Sequence, residues 1–257
     1  MPGSDEAADQ QASDHYAALA SRYDQNWSHS EQFLNWMTQQ IRRRLPIAPS
    51  GRVLDLGGGI GIFAERLLGE LDGSVSALVL DPSEQMLNEV RRTPRIDVAV
   101  GSASSYLARP DQGENQFDAV LIKEAVHHFV DRTHEFEAIH RLISDGGHVL
   151  IVMLPKQIAY PLFTSALERF ETLQPVPHDI AVELNDAGFE TSIEIEGFDL
   201  AFERERYFSM VNSRYMSLLS AFTDSEIEAG IIEMRVSYPE RTLAFRDNFA
   251  FITGQKR

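Results

Sequence analysis

Residues 53–61, VLDLGGGIG, place one acidic side chain beside a turn that is almost free of side chains. Asp55 lies in an apolar segment that reads as a β-strand, and glycine follows at positions 57, 58, 59 and 61. A strand that enters a glycine turn and then a helix presents backbone N–H groups at the carboxyl end of a sheet, where open α/β folds bind ligands. The segment therefore predicts a ligand site that lies against the backbone.

Two kinds of ligand fit this turn. Gly59, Gly61 and Ala64 match the G-x-G-x-x-A fingerprint of dinucleotide binding, and Asp81 follows at about the twenty residues expected of a ribose-binding acid. Asp55 would repel a pyrophosphate, however, whereas a carboxylate attracts an ammonium or another cationic group. The acidic residue therefore favours a positively charged ligand without phosphate.

The elements that must position this turn alternate along the chain. Apolar, β-branched segments typical of strands occur at 52–56, 76–81, 96–101, 117–125 and 148–155. Helical patterns separate them at 62–71, 83–92 and 131–143. This alternation predicts an α/β fold with a parallel sheet and helices on both faces. Two later strands are expected at 191–200 and 243–254, and the alternating polar pattern of the last strand is typical of an antiparallel strand.

The spacing Asp55-x-Gly57-x-Gly59-x-Gly61 resembles the signature of class I S-adenosylmethionine-dependent methyltransferases. Four further segments resemble that family in the same order, namely VLDPSEQML (79–87), FDAVLIKEAVHHF (117–129), HRLISDGGHVLIV (140–152) and FAFITGQK (249–256). The resemblance implies a Rossmann-like, doubly wound sheet of seven strands with the last strand antiparallel and with helical lid insertions. It also implies S-adenosyl-L-methionine as the cofactor and a small molecule as the methyl acceptor.

The resemblance assigns a role in cofactor binding to a set of residues. It places Asp55 near the amino group of the cofactor, Asp81 on the ribose hydroxyls, and glycines around the methionine part. Ser102 stands where the family often has an aspartate that reaches the adenine amino group. The complete set is Tyr16, Tyr23, Asp55, Gly57, Gly58, Gly59, Asp81, Pro82, Met86, Ser102, Ala103 and the backbone of Lys123.

Two adjacent histidines are the candidates for catalysis. His127 and His128 follow the fourth strand, and imidazole suits proton removal because its pKa lies near neutrality. We expect one of them to act as a base or to orient the acceptor. The two residues also have a plain alternative role in packing. A metal site is not predicted, because His134 and His140 are six residues apart on one expected helix and point in different directions.

The composition limits the partners. The formal net charge is −16, which would repel nucleic acid and acidic membrane surfaces and favours a small-molecule partner. We expect a cytoplasmic protein with a disordered tail over 1–14 and one domain over 15–257. Lid helices are expected at 15–46, and lid insertions at 156–175 and 202–238. A nicotinamide-dependent oxidoreductase and a non-catalytic cofactor-binding protein of the same fold remain as alternatives, and the oligomeric state is open.

Overall fold

The protein is represented by a computed structural model that describes residues 30–71, 73–109 and 116–257. Tyr16, Tyr23, the expected tail over 1–14 and the first part of the expected lid helices lie outside these residues. Within the described ranges, no helix has both the length and the hydropathy needed to cross a membrane.

A seven-stranded sheet organises the chain, with the strand order β3-β2-β1-β4-β5-β7-β6. The strands are β1 (Arg52–Leu56), β2 (Ser76–Asp81), β3 (Ile96–Val100), β4 (Phe117–Lys123), β5 (Ile143–Met153), β6 (Phe189–Glu203) and β7 (Thr242–Lys256). The strands β3, β2, β1, β4 and β5 pair in parallel, and β7 pairs with β5 in the antiparallel direction. The predicted fold class, with an antiparallel last strand, is confirmed.

Helices connect the strands. They are α1 (Glu31–Arg44), α2 (Ile62–Glu70), α3 (Glu84–Asn88), α4 (Ala103–Leu107), α5 (Arg132–Leu142), α6 (Thr164–Leu173), α7 (Pro177–Asp186), α8 (Arg204–Asn212) and α9 (Asp224–Ser237). Short 3₁₀ helices lie at Val126–His128 and Ser217–Ala221.

The chain divides into two compact units. Within the described residues, the larger unit comprises Leu34–Met153, Pro175–Ile195 and Ala250–Arg257. Its core consists of apolar side chains from the parallel strands and the helices packed on them, including Leu54, Val120, Ile151 and Phe136, all fully buried. The near-continuous apolar strands of the sequence are explained by this burial.

The smaller unit comprises Leu154–Gln174, Glu196–Phe249 and the described residues up to Phe33. Buried tyrosines join its segments, because the Tyr207 and Tyr215 hydroxyls lie 2.9 Å apart and Tyr160 donates to Asp247 at 2.7 Å. Thr223 and Glu226 form the capping box of α9 that their spacing predicts. Which segments act as lids, and whether 15–257 behaves as one domain, remain predictions.

Two element boundaries differ most from the sequence prediction. The strand β5 begins at Ile143 instead of residue 148, because Ile143 pairs with Phe117 before the register shifts between Phe117 and Ala119. The helix α3 ends at Asn88, well before residue 92. It ends there because the next two N–H groups bond three residues back, Glu89 to Met86 O and Val90 to Leu87 O, which closes the last turn tightly.

Candidate active site

The carboxyl ends of β1, β2 and β4 bring three charged side chains to one face of the sheet. Asp55 is in register with Val79 on one neighbouring strand and with Leu121 on the other. Side chains alternate along a strand, so Asp81 and Lys123, each two residues further on, lie on the same face as Asp55. Two carboxylates and one ammonium group therefore surround the start of the glycine turn.

The glycine turn has no side chains, both because its conformation favours glycine and because the surrounding protein packs against it. Gly57, Gly59 and Gly61 have φ values of 73°, 56° and 71°, a left-handed region that favours glycine. A Cβ atom on Gly57 would lie 2.5 Å from the Cβ atom of Ala125, and one on Gly58 would lie 2.7 Å from the carboxyl carbon of Asp55. The backbone of residues 57–59 nevertheless stays partly exposed.

Hydrogen bonds fasten the glycine turn to the end of β2. The N–H groups of Gly57 and Gly58 both donate to the carbonyl oxygen of Leu80, at 2.8 and 3.1 Å. The N–H group of Gly59 donates to Oδ2 of Asp81 at 2.9 Å. The turn is therefore held in place by the strand that carries the second carboxylate.

Asp81 is fixed by two backbone donors. Its Oδ1 accepts from the N–H group of Ser83 at 2.8 Å, while Oδ2 accepts from Gly59. Burial raises the pKa of this carboxyl, and the two backbone hydrogen bonds act in the opposite direction. A carboxylate has about four lone-pair positions, so acceptor capacity is left for a diol.

Asp55 carries the strongest electrostatic perturbation at the turn. Its side chain is 3% exposed. Burial and, to a smaller extent, Asp81 raise the pKa of Asp55, and Lys123 lowers it; the net result is a pKa of about 7. The carboxyl is therefore poised to ionise near neutral pH, when a positive group comes close.

The other predicted cofactor residues occupy different environments. Pro82 is exposed, whereas Met86 is buried and its methyl group lies against the position of Gly59. Ser102 is the N-cap of α4, where its hydroxyl oxygen accepts from the N–H group of Ser105 at 3.1 Å. The neighbouring Ala103 is partly exposed. The Ser102 hydroxyl hydrogen remains able to donate, but its oxygen already has a structural role.

The histidines follow β4 on a short 3₁₀ helix. Glu124, between the strand and this helix, has a φ of 52°, which is uncommon for a residue with a side chain. The rings of His127 and His128 are exposed, and their centroids lie 4.1 Å apart. Nearby protein atoms and the neighbouring His128 lower the pKa of His127, although solvent that reaches this exposed residue weakens the effect. Contact between Ala125 and the Gly57 position places this segment beside the glycine turn.

Glu135 is a polar residue near the site whose environment the sequence did not predict. Its side chain is 5% exposed and accepts a short hydrogen bond from the hydroxyl of Ser104, which links α5 to α4. Burial raises the pKa of this carboxyl, and the Ser104 bond lowers it. A charged residue on a helix is usually solvated, so the sequence carried no signal of this burial.

Other polar groups have roles apart from the glycine turn. His134 is hydrogen bonded through Nδ1 to Asp131 at 2.7 Å, and Arg214 forms an ion pair with Asp224 at 2.7 Å. In the part of the chain that the structure describes, no group of three or more histidine, aspartate or glutamate side chains could hold a metal ion.

Comparison with known proteins identifies the family to which the chain belongs. A family model described as a methyltransferase domain matches residues 20–194, more than half of the chain. The chain is also similar to UbiE of Pasteurella multocida (strain Pm70), a ubiquinone/menaquinone biosynthesis C-methyltransferase, with 25% identity over 180 residues. That match covers 67% of this chain and 65% of the relative. The chain thus spans less than two thirds of the length of the curated relatives that it matches first.

Two solved structures show the same fold at low sequence identity. The [4+2]-cyclase SpnF has a TM-score of 0.65 and 16% identity, and the match covers 96% of this chain and 95% of that one. Phosphoethanolamine N-methyltransferase 2 of Haemonchus contortus, in complex with phosphomonomethylethanolamine and S-adenosylhomocysteine, has a TM-score of 0.55 and 19% identity, with coverages of 91% and 58%. At these identities the likeness concerns the fold alone.

The match to the family model agrees with the glycine turn, the two strand-end carboxylates and the antiparallel last strand. Together they confirm the predicted family and its cofactor, and the chain belongs to the methyltransferase-domain family.

Proposed function

We propose that the protein transfers the methyl group of S-adenosylmethionine to a small-molecule acceptor at oxygen, nitrogen or carbon. The observation that carries this proposal is the buried Asp55 carboxyl beside the glycine turn, on the same face of the sheet as Asp81. The C-methyltransferase name of the UbiE relative supports the reaction class. That name does not establish which atom accepts the methyl group in the reaction of this chain.

The residues at the turn fit the cofactor chemically. Asp55 is buried and its pKa is raised to about 7, so a cationic ligand group is the natural counter-ion for its ionised form. Asp81 is pre-organised by two backbone N–H groups and keeps acceptor capacity for the two ribose hydroxyls. A pyrophosphate at this turn would meet two carboxylates, which disfavours a nicotinamide dinucleotide.

When bound, the cofactor supplies a methyl group that its sulfonium activates for in-line displacement. The protein's part is to align the acceptor, exclude water and accept a proton where the acceptor carries one. His127 and His128 are the candidates for this part because they lie just past the residue that contacts the glycine turn. His127 is neutral at pH 7, since its pKa is lowered, so it is suited to accept a hydrogen bond from the acceptor.

The net charge of the chain and the sequence after β4 both indicate the kind of acceptor. The net charge of −16 supports a small molecule over a nucleic acid. Enzymes that methylate the exocyclic amines of bases or glutamine amides carry an N-P-P-Y type of motif after the fourth strand. This chain has IKEA at 122–125 instead, which argues against those acceptors. A cytoplasmic location stays a prediction.

The reaction is tested by incubating a cell extract with the protein and deuteromethyl-labelled S-adenosylmethionine, followed by mass spectrometry. We expect a product that gains one labelled methyl group with the wild-type protein and not with Asp81→Ala. An Asp97→Ala protein is the matched control, because Asp97 is exposed on β3. Equal labelling with the Asp81→Ala protein would contradict the proposed use of this site.

The pKa of Asp55 predicts how cofactor binding depends on pH. Below about pH 7 the carboxyl is protonated in the free protein, so it offers no charge to a ligand ammonium group. Adenosylhomocysteine should therefore bind several-fold more tightly at pH 8 than at pH 6, and Asp55→Asn should bind weakly at both values. Isothermal titration calorimetry measures this. A pH-independent affinity in the wild-type protein would contradict the role given to Asp55.

The same pKa predicts the stability of the ligand-free protein. Folding raises the pKa of Asp55 from 3.8 to about 7, so protonation of this carboxyl stabilises the folded state. The contribution is fully present below pH 3.8 and is lost as the pH rises through about 7. A pKa change of this size corresponds to at most about 4 kcal/mol. Asp55→Asn should therefore raise the melting temperature at pH 8 and leave it nearly unchanged at pH 4. A lower melting temperature at pH 8 would be the opposite result.

The histidines can be separated from cofactor binding. His127→Ala and His128→Ala should each retain the wild-type affinity for adenosylhomocysteine. The variant that removes the acting histidine should yield about a hundredfold less labelled product, the lower range for general acid–base catalysis. His134→Ala, an exposed histidine on α5, is the control. Full product yield from both variants would show that these rings only pack.

A further inference from the structure

Lys123 is a charged group at the site that the proposed reaction does not yet use. It is the last residue of β4, two residues beyond Leu121, which is in register with Asp55. Its side chain is therefore on the same face of the sheet as the Asp55 carboxyl, one strand away, and neighbouring strands lie about 4.8 Å apart. A cation and an anion thus stand on adjacent strands at the start of the glycine turn.

The Lys123 ammonium group has a defined place. Its Nζ lies 5.2 Å from the centroid of the Phe63 ring, in the first turn of α2 directly after the glycines. An ammonium group over an aromatic face is attracted to the ring quadrupole. Lys123 is also close enough to Asp55 to lower its pKa. The side chain consequently points toward the glycine turn and the helix that follows it.

A ligand carboxylate at this turn would need such a cation. Asp55 and Asp81 both lie on this face, and the net charge of the chain is −16, so the field here disfavours a negative ligand group. The cofactor proposed above carries an α-amino acid part, with an ammonium and a carboxylate on one carbon atom. Asp55 can match only the ammonium.

We propose that the Lys123 side chain binds the carboxylate of the amino acid part of the cofactor, while Asp55 binds its ammonium group. This inference rests on the proposed function and deepens it. The two charges on neighbouring strands recognise a zwitterion, so Lys123 sets the specificity for ligands that keep the carboxylate. A ligand with the same adenosine and sulfur but no carboxylate lacks the partner for Lys123.

The test compares adenosylhomocysteine with its decarboxylated analogue by isothermal titration calorimetry. The wild-type protein should bind adenosylhomocysteine at least about tenfold more tightly than the analogue, in line with a charge-assisted hydrogen bond. The Lys123→Met protein should bind adenosylhomocysteine about tenfold more weakly than the wild-type protein does, and it should bind the two ligands with equal affinity. Lys123→Arg should keep the preference. Lys156→Met is the matched control, because Lys156 is exposed, and it should behave like the wild-type protein.

The outcomes separate this inference from the proposed function. If the wild-type protein binds adenosylhomocysteine and Lys123→Met keeps the wild-type preference over the analogue, the role of Lys123 is overturned while the proposed function stands. If the wild-type protein binds neither ligand, the proposed function fails and this assignment fails with it. Lys123→Gln provides the same comparison should the methionine variant unfold early, because its shorter polar side chain also removes the charge.

Discussion

The buried carboxyl of Asp55 beside the glycine turn is the interaction on which the rest of the site depends. A carboxylate that loses its hydration is costly unless an opposite charge is near, so burial is the main cause that raises the pKa of Asp55 to about 7. Asp81 on the adjacent strand adds to this cost, and Lys123 reduces it. A cationic ligand would relieve the same penalty. The desolvation penalty that Asp55 carries in the free protein therefore favours ligands that place a cationic group beside this carboxylate.

The glycine turn gives this carboxyl its surroundings. Leu80 and Asp81, at the end of β2, accept the N–H groups of three successive glycines, so the turn and the second carboxylate form one connected structure. On the other side, Ala125 packs so closely against Gly57 that any side chain there would collide. The turn therefore joins the strand that holds the expected ribose-binding acid to the segment that holds the two histidines.

Much of the fold follows from the sequence because hydrophobic periodicity and turn chemistry are local. The strand β1 has the predicted bounds, and the Thr223 capping box forms as its spacing requires. The partners of polar groups were harder to predict because they depend on tertiary packing. The hydroxyl of Ser102 caps α4, Glu135 is buried against Ser104, and Arg214 is in an ion pair. Serine is a usual N-cap residue, but the partners of Glu135 and Arg214 have no sequence signal.

The most direct measurement of the central claim is a pair of calorimetric titrations of the wild-type protein at pH 8, one with adenosylhomocysteine and one with NAD. If a carboxylate beside the glycine turn selects a cationic ligand without phosphate, the first titration gives saturable heat and the second gives none. Saturable binding of NAD together with no binding of adenosylhomocysteine would contradict the account, because the pyrophosphate would then lie against the two strand-end carboxylates.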